Sequence, residues 1–312
     1  MNTNMRKIVM VGCGYVGATS VFSMLETCTD INVIDTNFEK TSGEILDMNH
    51  AISFIRPVEL RVGDYSDCKD ADVIVITAGA SQLPGQTRND LLHKNHDIFK
   101  SILDQVIMNI GSDTIILVVT NPVDALTYFC REYTGLPSNR VFGSGTVLDT
   151  ARLKYATSQH TGIDARDIHA YVLGEHGDTA VAAFSATTIA GLSLQDYCNI
   201  CDSCDVKIEE RLEDHVRNAA YEIIHKKGST FYGVSFAVKR IVEAILDDEK
   251  AILTVSSCLD GQYGMRDVAL SLPCVVGAGG IEKIITPILS DDEMESLHKS
   301  AQAIQSNISK FR

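Results

Sequence analysis

Gly12-Cys13-Gly14-Tyr15-Val16-Gly17 is the stretch that decides the fold. It follows the apolar run Ile8–Val11 directly and opens a stretch with helical character. Each glycine has its own physical reason: Gly12 permits a tight turn, Gly14 lets backbone approach a pyrophosphate, and Gly17 allows close packing of helix on strand. A helix starting here turns its unpaired N–H groups toward those phosphates. A second apolar run, Ile31–Ile34, ends at Asp35. An acid at that distance accepts the ribose hydroxyls and repels a 2′-phosphate, so the spacing predicts NAD rather than NADP as cofactor. A glycine-rich turn alone carries little; the flanking strand, helix and acid make it specific.

Working outward, β-branched runs recur at Val73–Thr77, Ile115–Thr120 and Val141–Phe142, with helical stretches such as Leu91–Asn109 between them. These runs are apolar throughout rather than alternating, as parallel strands covered on both faces require. The predicted fold is α/β: a Rossmann-type doubly wound parallel sheet over residues 1–144, followed by an α+β substrate domain over residues 145–312. The second part is expected to contain a helix (Thr146–Thr161), a strand (Ile168–Gly174), and helices near Asp205–Lys226 and Phe231–Leu246. Strand-like runs follow at Ala251–Cys258 and Val268–Val276. Ser290-Asp-Asp-Glu293 reads as a capping box opening a last amphipathic helix, with acids at its positive end.

The chain has 312 residues, with 27 Lys and Arg against 41 Asp and Glu, a net charge of −14. That charge argues against nucleic acid and anionic membrane surfaces as partners. No apolar run approaches the roughly 18 residues of a membrane helix, and the four apolar residues before Gly12 are too few for a secretory signal core. Nine scattered cysteines in a chain that can bury its own core read as reduced thiols, so a cytoplasmic protein is expected. Cys198-x-x-Cys201-x-x-Cys204 has a spacing that can hold metal, but position 208 is Ile and no histidine follows until His215; no metal is expected. Cys13 reads as a small packed residue of the phosphate turn, although its oxidation there would obstruct a cofactor.

Five further segments stand in order along the chain. They are Ile76-Thr-Ala-Gly-Ala80, Pro84-Gly-Gln-Thr-Arg88, Thr120-Asn-Pro-Val-Asp124, Gly143-Ser-Gly-Thr-Val-Leu-Asp-Thr-Ala-Arg152 and Leu173-Gly-Glu-His-Gly-Asp178. With them the sequence resembles the L-lactate/malate dehydrogenase family over nearly its whole length, and the last two look like its bacterial-type L-lactate branch. The resemblance implies reversible hydride transfer between NADH and a small 2-keto acid.

The chemistry fits these residue types. Reducing a keto acid needs a proton for the developing alkoxide and an anchor for the carboxylate. His176 is the acid whose ordinary pKa, about 6.5, lies near neutrality. Asp149 can hold its other ring nitrogen, and Arg152, three residues on, shares a helical face with Asp149 and offers a planar fork to a carboxylate. By resemblance, Arg88 polarises the keto oxygen from a Gly/Pro-containing loop, Asn121 contacts the substrate oxygen and nicotinamide ribose through a segment whose Asn–Pro bond is usually cis, and Asp124 and Thr230 lie on the substrate side. Val16, Lys40, Tyr65, Gly79, Ala80, Ser101, Val119 and Ser144 match cofactor-contact positions.

In this family the residue two before Pro-Gly separates substrates: Arg for malate, Gln for lactate. Here it is Gln82. The second carboxylate of oxaloacetate would meet a neutral side chain, and an unpaired buried charge costs several kcal/mol. Pyruvate is therefore the expected substrate. Thr120, Asn89-Asp-Leu-Leu92 and Gln86 depart from the lactate pattern and leave open a malate or broad 2-hydroxy-acid dehydrogenase. A catalytically idle dinucleotide-binding protein is a further alternative, against which His176, Asp149, Arg88 and Arg152 argue together. The resemblance also implies a homo-oligomer, a dimer or tetramer. Lys154 and His169 stand where some bacterial relatives bind the activator fructose 1,6-bisphosphate, with Lys in place of their Arg.

Overall fold

The structure is a computed structural model and describes residues 6–80, 88–201 and 208–311, with backbone alone for 88–90. The first half runs β1 (Lys7–Val11), α1 (Tyr15–Met24), β2 (Asp30–Ile34), α2 (Phe38–Ala51), β3 (Glu59–Val62), β4 (Val73–Ile76), α3 (Arg88–Ile107), β5 (Ile115–Val118), α4 (Val123–Thr134), β6 (Val141–Gly143) and α5 (Val147–Thr161). The six strands pair in parallel in the order β3-β2-β1-β4-β5-β6. The chain leaves β1 toward one side and returns through β4 on the other, so a crevice opens at the carboxyl ends of these two strands.

Successive residues of each strand serve opposite faces, which is why the sequence runs are apolar throughout. Ile8 and Met10 of β1 join Val21 of α1, Ile45 of α2 and Ile241 in one core, while Val9 and Val11 meet Phe99 and Leu103 of α3 and Leu126 of α4 in another. Phe99 is wholly buried; truncating such a side chain to Ala costs about 3–5 kcal/mol.

The second half contains β7 (Ile168–His169), β8 (Val172–Leu173), β9 (Val181–Ala182), β10 (Thr188–Ile189), β11 (Leu192–Ser193), α6 (Leu194–Ile200), α7 (Ile208–Lys227), α8 (Tyr232–Leu246), β12 (Ala251–Asp260), β13 (Arg266–Gly277), β14 (Gly280–Ile284) and α9 (Asp291–Ser309). Three of these strands extend the first sheet rather than forming a separate one: β12 pairs antiparallel with β6 at Ser256 and Gly143, and β13 and β14 follow outward. The sheet therefore crosses the 144/145 position read from the sequence. α8 packs on α1 and closes the face of the first core. The capping box forms as expected: Ser290 Oγ accepts the Glu293 N–H at 3.3 Å and Glu293 accepts the Ser290 N–H at 2.9 Å. Such a cap stabilises by about 1 kcal/mol.

Two expectations need correction. The single strand over Ile168–Gly174 is two short ones, because β7 pairs with β10 while β8 turns to pair with β9. The edge strand β3 has no counterpart among the strands expected from the sequence: Glu59 and Arg61 break its apolar run, which an edge position tolerates.

Candidate active site

The turn after β1 is built by its glycines. Gly12 has φ +110°, and a Cβ there would lie 2.6 Å from the Ala78 backbone nitrogen. At Gly17 a Cβ would fall 1.9 Å from the Gly12 carbonyl oxygen, so α1 seats on the turn only without a side chain. Gly14 is the N-cap of α1, with no side-chain cap, no acid in the first turn, and nothing within 4 Å of where its Cβ would stand. Helix N–H groups facing open space fit a pyrophosphate.

Asp35, just past β2, ties this turn down. Its Oδ2 accepts the Cys13 N–H at 2.6 Å and its Oδ1 the Asn37 N–H at 2.8 Å, and each oxygen keeps acceptor capacity for a ribose hydroxyl. Lys40 Nζ donates to the Cys13 carbonyl at 2.9 Å. Cys13 itself is buried, and burial pushes its thiol pKa up, which suits a packing residue. The Val16 carbonyl accepts from Ser235 Oγ, and the Ser144 N–H donates to Val118 beside Val119 at the end of β5. Gly79 is needed where a Cβ would press Thr120 at 2.7 Å. Tyr65 is half-buried against the second core, and Ser101 stands exposed on α3 with its hydroxyl on the Ile98 carbonyl.

Asn95 of α3 joins three segments at the crevice. Its Oδ1 accepts the Ala80 N–H at 2.7 Å and its Nδ2 donates to the Asn121 carbonyl at 2.8 Å. The Asn121–Pro122 bond is cis, as the resemblance implied.

Across the crevice, Asp149 lies in the first turn of α5 and His176 just after β8. His176 Nδ1 is 2.6 Å from Asp149 Oδ2, and Arg152 donates to Asp149 Oδ1 at 2.8 Å. One buried carboxylate thus bridges the imidazole and the guanidinium. Burial pushes the Asp149 pKa up, but His176 and Arg152 outweigh it and hold the carboxyl below its ordinary range. Burial likewise disfavours imidazolium, yet the Asp149 charge and hydrogen bond, with Asp124 adding to them, raise the His176 pKa above 6.5.

His176 and Arg152 line a cavity of about 130 Å³ whose far wall is α7, through Glu213, Arg217 and Tyr221. Arg217 donates to Glu213 at 2.7 Å, and Tyr221 Oη donates to Asp178 at 2.7 Å. A larger cavity, about 740 Å³, opens on His176 from the side of Asn121, Pro122 and Lys310. Asp124 lines neither; it is buried and accepts the His176 backbone N–H at 2.8 Å. Thr230 is half-buried in the loop between α7 and α8 and also lines neither. Gln82 and the Arg88 side chain lie outside the described residues.

Residues 6–143 match the lactate/malate dehydrogenase NAD binding domain, and residues 146–312 match the lactate/malate dehydrogenase alpha/beta C-terminal domain. The chain belongs to the lactate/malate dehydrogenase family. The chain is 48% identical over 310 residues to an L-lactate dehydrogenase of Acetivibrio thermocellus, covering 98% of each chain. It is 51% identical over 303 residues to an L-lactate dehydrogenase of Thermoanaerobacterium saccharolyticum, covering 96% of this chain and 97% of that one. Among solved structures, the minor L-lactate dehydrogenase of Enterococcus mundtii in its ligand-bound form superposes with a TM-score of 0.95 at 38% identity, covering 98% of both chains.

For a lactate/malate dehydrogenase, the α7 wall is what the sequence reading missed. Glu213, Arg217 and Tyr221 are spaced four apart and share one helix face, but spacing does not reveal which neighbour that face meets. The Lys154 and His169 positions fall on α5 and β7, half-buried and exposed respectively. Cys198 and Cys201 are half-buried at the end of α6, and Cys204 lies outside the described residues.

Proposed function

We propose that this lactate/malate dehydrogenase is an NAD-dependent L-lactate dehydrogenase, interconverting pyruvate and L-lactate. The observation that carries the reading is the Asp149 carboxylate bridging His176 and Arg152 at the wall of one small cavity. The cofactor, when bound, supplies or accepts the hydride. The turn from Gly12 to Gly17 and the N–H groups of α1 would hold its phosphates, and Asp35 its ribose.

The chain's own residues handle the proton and the charge. Asp149 occupies Nδ1 of His176, which leaves Nε2 to give its proton to the keto oxygen during reduction and to take it back during oxidation. Arg152 has spent one N–H on Asp149 and keeps the rest of its fork for the substrate carboxylate. By family resemblance Arg88 polarises the keto oxygen, with Asn121 and Thr230 as further substrate contacts. The preference for a monocarboxylate has two supports. Gln82 is neutral, and Arg217, the other arginine of the small cavity among the described residues, is already paired with Glu213.

The test is NADH oxidation followed with pyruvate, oxaloacetate and 2-ketoisocaproate. Pyruvate should be turned over with by far the highest kcat/KM; a preference for oxaloacetate would make the chain a malate dehydrogenase. Gln82→Arg should move the ratio toward oxaloacetate.

We also infer a homo-oligomer, a dimer or tetramer, in a cytoplasmic setting where the reaction regenerates NAD in fermentation. Large apolar side chains stand exposed on α1, α2 and α8, among them Phe22, Phe38, Leu46 and Phe236, and such surfaces mark association sites. Light scattering on the purified protein decides it: a mass near 34 kDa would contradict the inference.

A further inference from the structure

Asp124 is a buried charge that the reaction as described does not use. It sits in the first turn of α4, directly after Pro122 and Val123, and is only 2% exposed. One oxygen, Oδ2, accepts the His176 backbone N–H; the other, Oδ1, makes no hydrogen bond. Two more buried hydroxyls stand without partners close by, Thr127 Oγ1 one turn along α4 and Ser256 Oγ on β12. They face each other across Gly143, where a Cβ would lie 2.5 Å from Thr127 Oγ1 and 3.1 Å from Ser256 Cβ. A buried carboxylate with an unsatisfied oxygen is costly, and a neutral amide would cap the same backbone N–H for less. The charge itself therefore needs an explanation.

We propose that Asp124 is a positioning residue for the reaction: its carboxylate fixes the His176 loop through the backbone amide, and its negative charge reinforces that of Asp149 on the imidazole. The proposal rests on the reading of His176 as proton donor, and it differs from a substrate contact because Asp124 lines neither cavity.

Other charged groups surround the same imidazole. Asp149 and Arg152 reach it from α5, and Glu175 and Asp178 flank it on its own loop. Glu213, Arg217 and Tyr221 share the small cavity from α7, and Lys310 closes the larger one beyond α9. Of these, Asp149 contributes most to raising the His176 pKa, Asp124 raises it further, and Arg152 lowers it. Burial pushes the Asp124 carboxyl up to about 6, against the pull of the Ser256 hydroxyl, which stands close by without a formed hydrogen bond, and of His176, so Asp124 is mostly ionised at neutral pH.

The experiment compares wild type with Asp124→Asn, whose amide oxygen keeps the bond to the His176 N–H and whose amide nitrogen can donate toward Ser256 or Thr127. The pH profile of kcat/KM for pyruvate is measured at saturating NADH. The alkaline limb, which reports His176, should move down by about half to one pH unit, lowering kcat/KM above it by about three- to tenfold, with the NADH affinity unchanged. A raised KM for pyruvate with an unmoved limb would make Asp124 a substrate contact and overturn the proposal. An unmoved limb with only an altered Tm would reduce Asp124 to a structural role and overturn it equally. The second measurement needs no folded variant of Asp124: ¹⁵N-histidine NMR of the wild type, with the His176 signal assigned from His176→Asn. A smaller inflection near pH 6 in the His176 resonance is expected; a single transition would refute the coupling. Inactivity of the wild type on pyruvate would sink the lactate dehydrogenase reading separately, because the inflection is read without turnover.

Discussion

Asp149 Oδ2 lies 2.6 Å from His176 Nδ1, in a site where the carboxylate is almost wholly buried and the imidazole is 27% exposed at the cavity edge. The anion is thus fixed on the protein side, and the imidazole faces the cavity. Because burial alone would push the two pKa values toward their neutral forms, the pair stays charged through mutual contact, with Arg152 supporting the carboxylate and Asp124 the imidazolium.

The pH dependence follows with a definite sign. His176 has its pKa raised above 6.5, so pyruvate reduction should hold as pH passes 6.5 and fall only beyond the raised value, while lactate oxidation rises over the same window. Stability moves likewise: what the imidazolium contributes is complete below 6.5 and lost as pH climbs through the folded-state value, whereas the depressed Asp149 contributes above its ordinary range and is lost as acid titrates it. Asp149→Asn should bring the alkaline limb of reduction to lower pH and cut turnover by about 100-fold or more. His176→Asn should cost about 10²–10⁴-fold in turnover with NADH affinity nearly intact. Equal losses in both quantities would point to misfolding instead.

Asp35→Ser should weaken NAD binding and relax discrimination against NADP. The carboxylate has two jobs, holding the Cys13 and Asn37 N–H groups and presenting negative charge beyond them. Serine removes the charge and at least one of the two backbone bonds, so affinity for NAD should fall even as NADP becomes acceptable. Fluorescence titration with both reduced cofactors measures the ratio; an unchanged preference would contradict the ribose assignment.

How far the sequence could be read depends on the range of each interaction. Gly12 to Gly17 and the apolar strands are local signals, and the parallel sheet follows from them. Arg152 beside Asp149 is a one-turn relationship that spacing alone specifies. The contact of Asp124 with His176 spans 52 positions, and only the topology that brings α4 under the loop after β8 creates it. Family resemblance put Asp124 on the substrate side; its burial and its bond to the His176 N–H are visible only in the fold. Asn95 went unread for the same reason, since a lone Asn in a helix gives no sign that Ala80 and Asn121 converge on it.

Glu213→Gln tests the α7 wall. With its partner neutral, Arg217 would present an uncompensated charge to the cavity, and a dicarboxylate would gain from it. The pair is nearly half exposed, so solvent screens the effect. The oxaloacetate-to-pyruvate ratio of kcat/KM should rise by about two- to fivefold at low salt and less at high salt. A ratio that does not move would mean that Arg217 does not reach the substrate's distal end.

Activation by fructose 1,6-bisphosphate should be weak or absent. Lys154 keeps the positive charge of the arginine it replaces but lacks the bidentate fork that matches a phosphate. Its surroundings work against it as well: burial pushes the ammonium pKa down, and the charges that offset this are the carboxylates of Asp164 and Asp167, which would repel the ligand. His169, exposed on β7, can add charge only when protonated. The measurement is the pyruvate concentration for half-maximal rate, with and without millimolar effector, in wild type and Lys154→Arg. No change in wild type and a clear drop in the arginine variant would locate the loss at this side chain. A large drop in wild type would show that a lysine between two acids suffices to bind the sugar bisphosphate, and would overturn the expectation. No drop in either would mean that phosphate ligands beyond position 154 are missing.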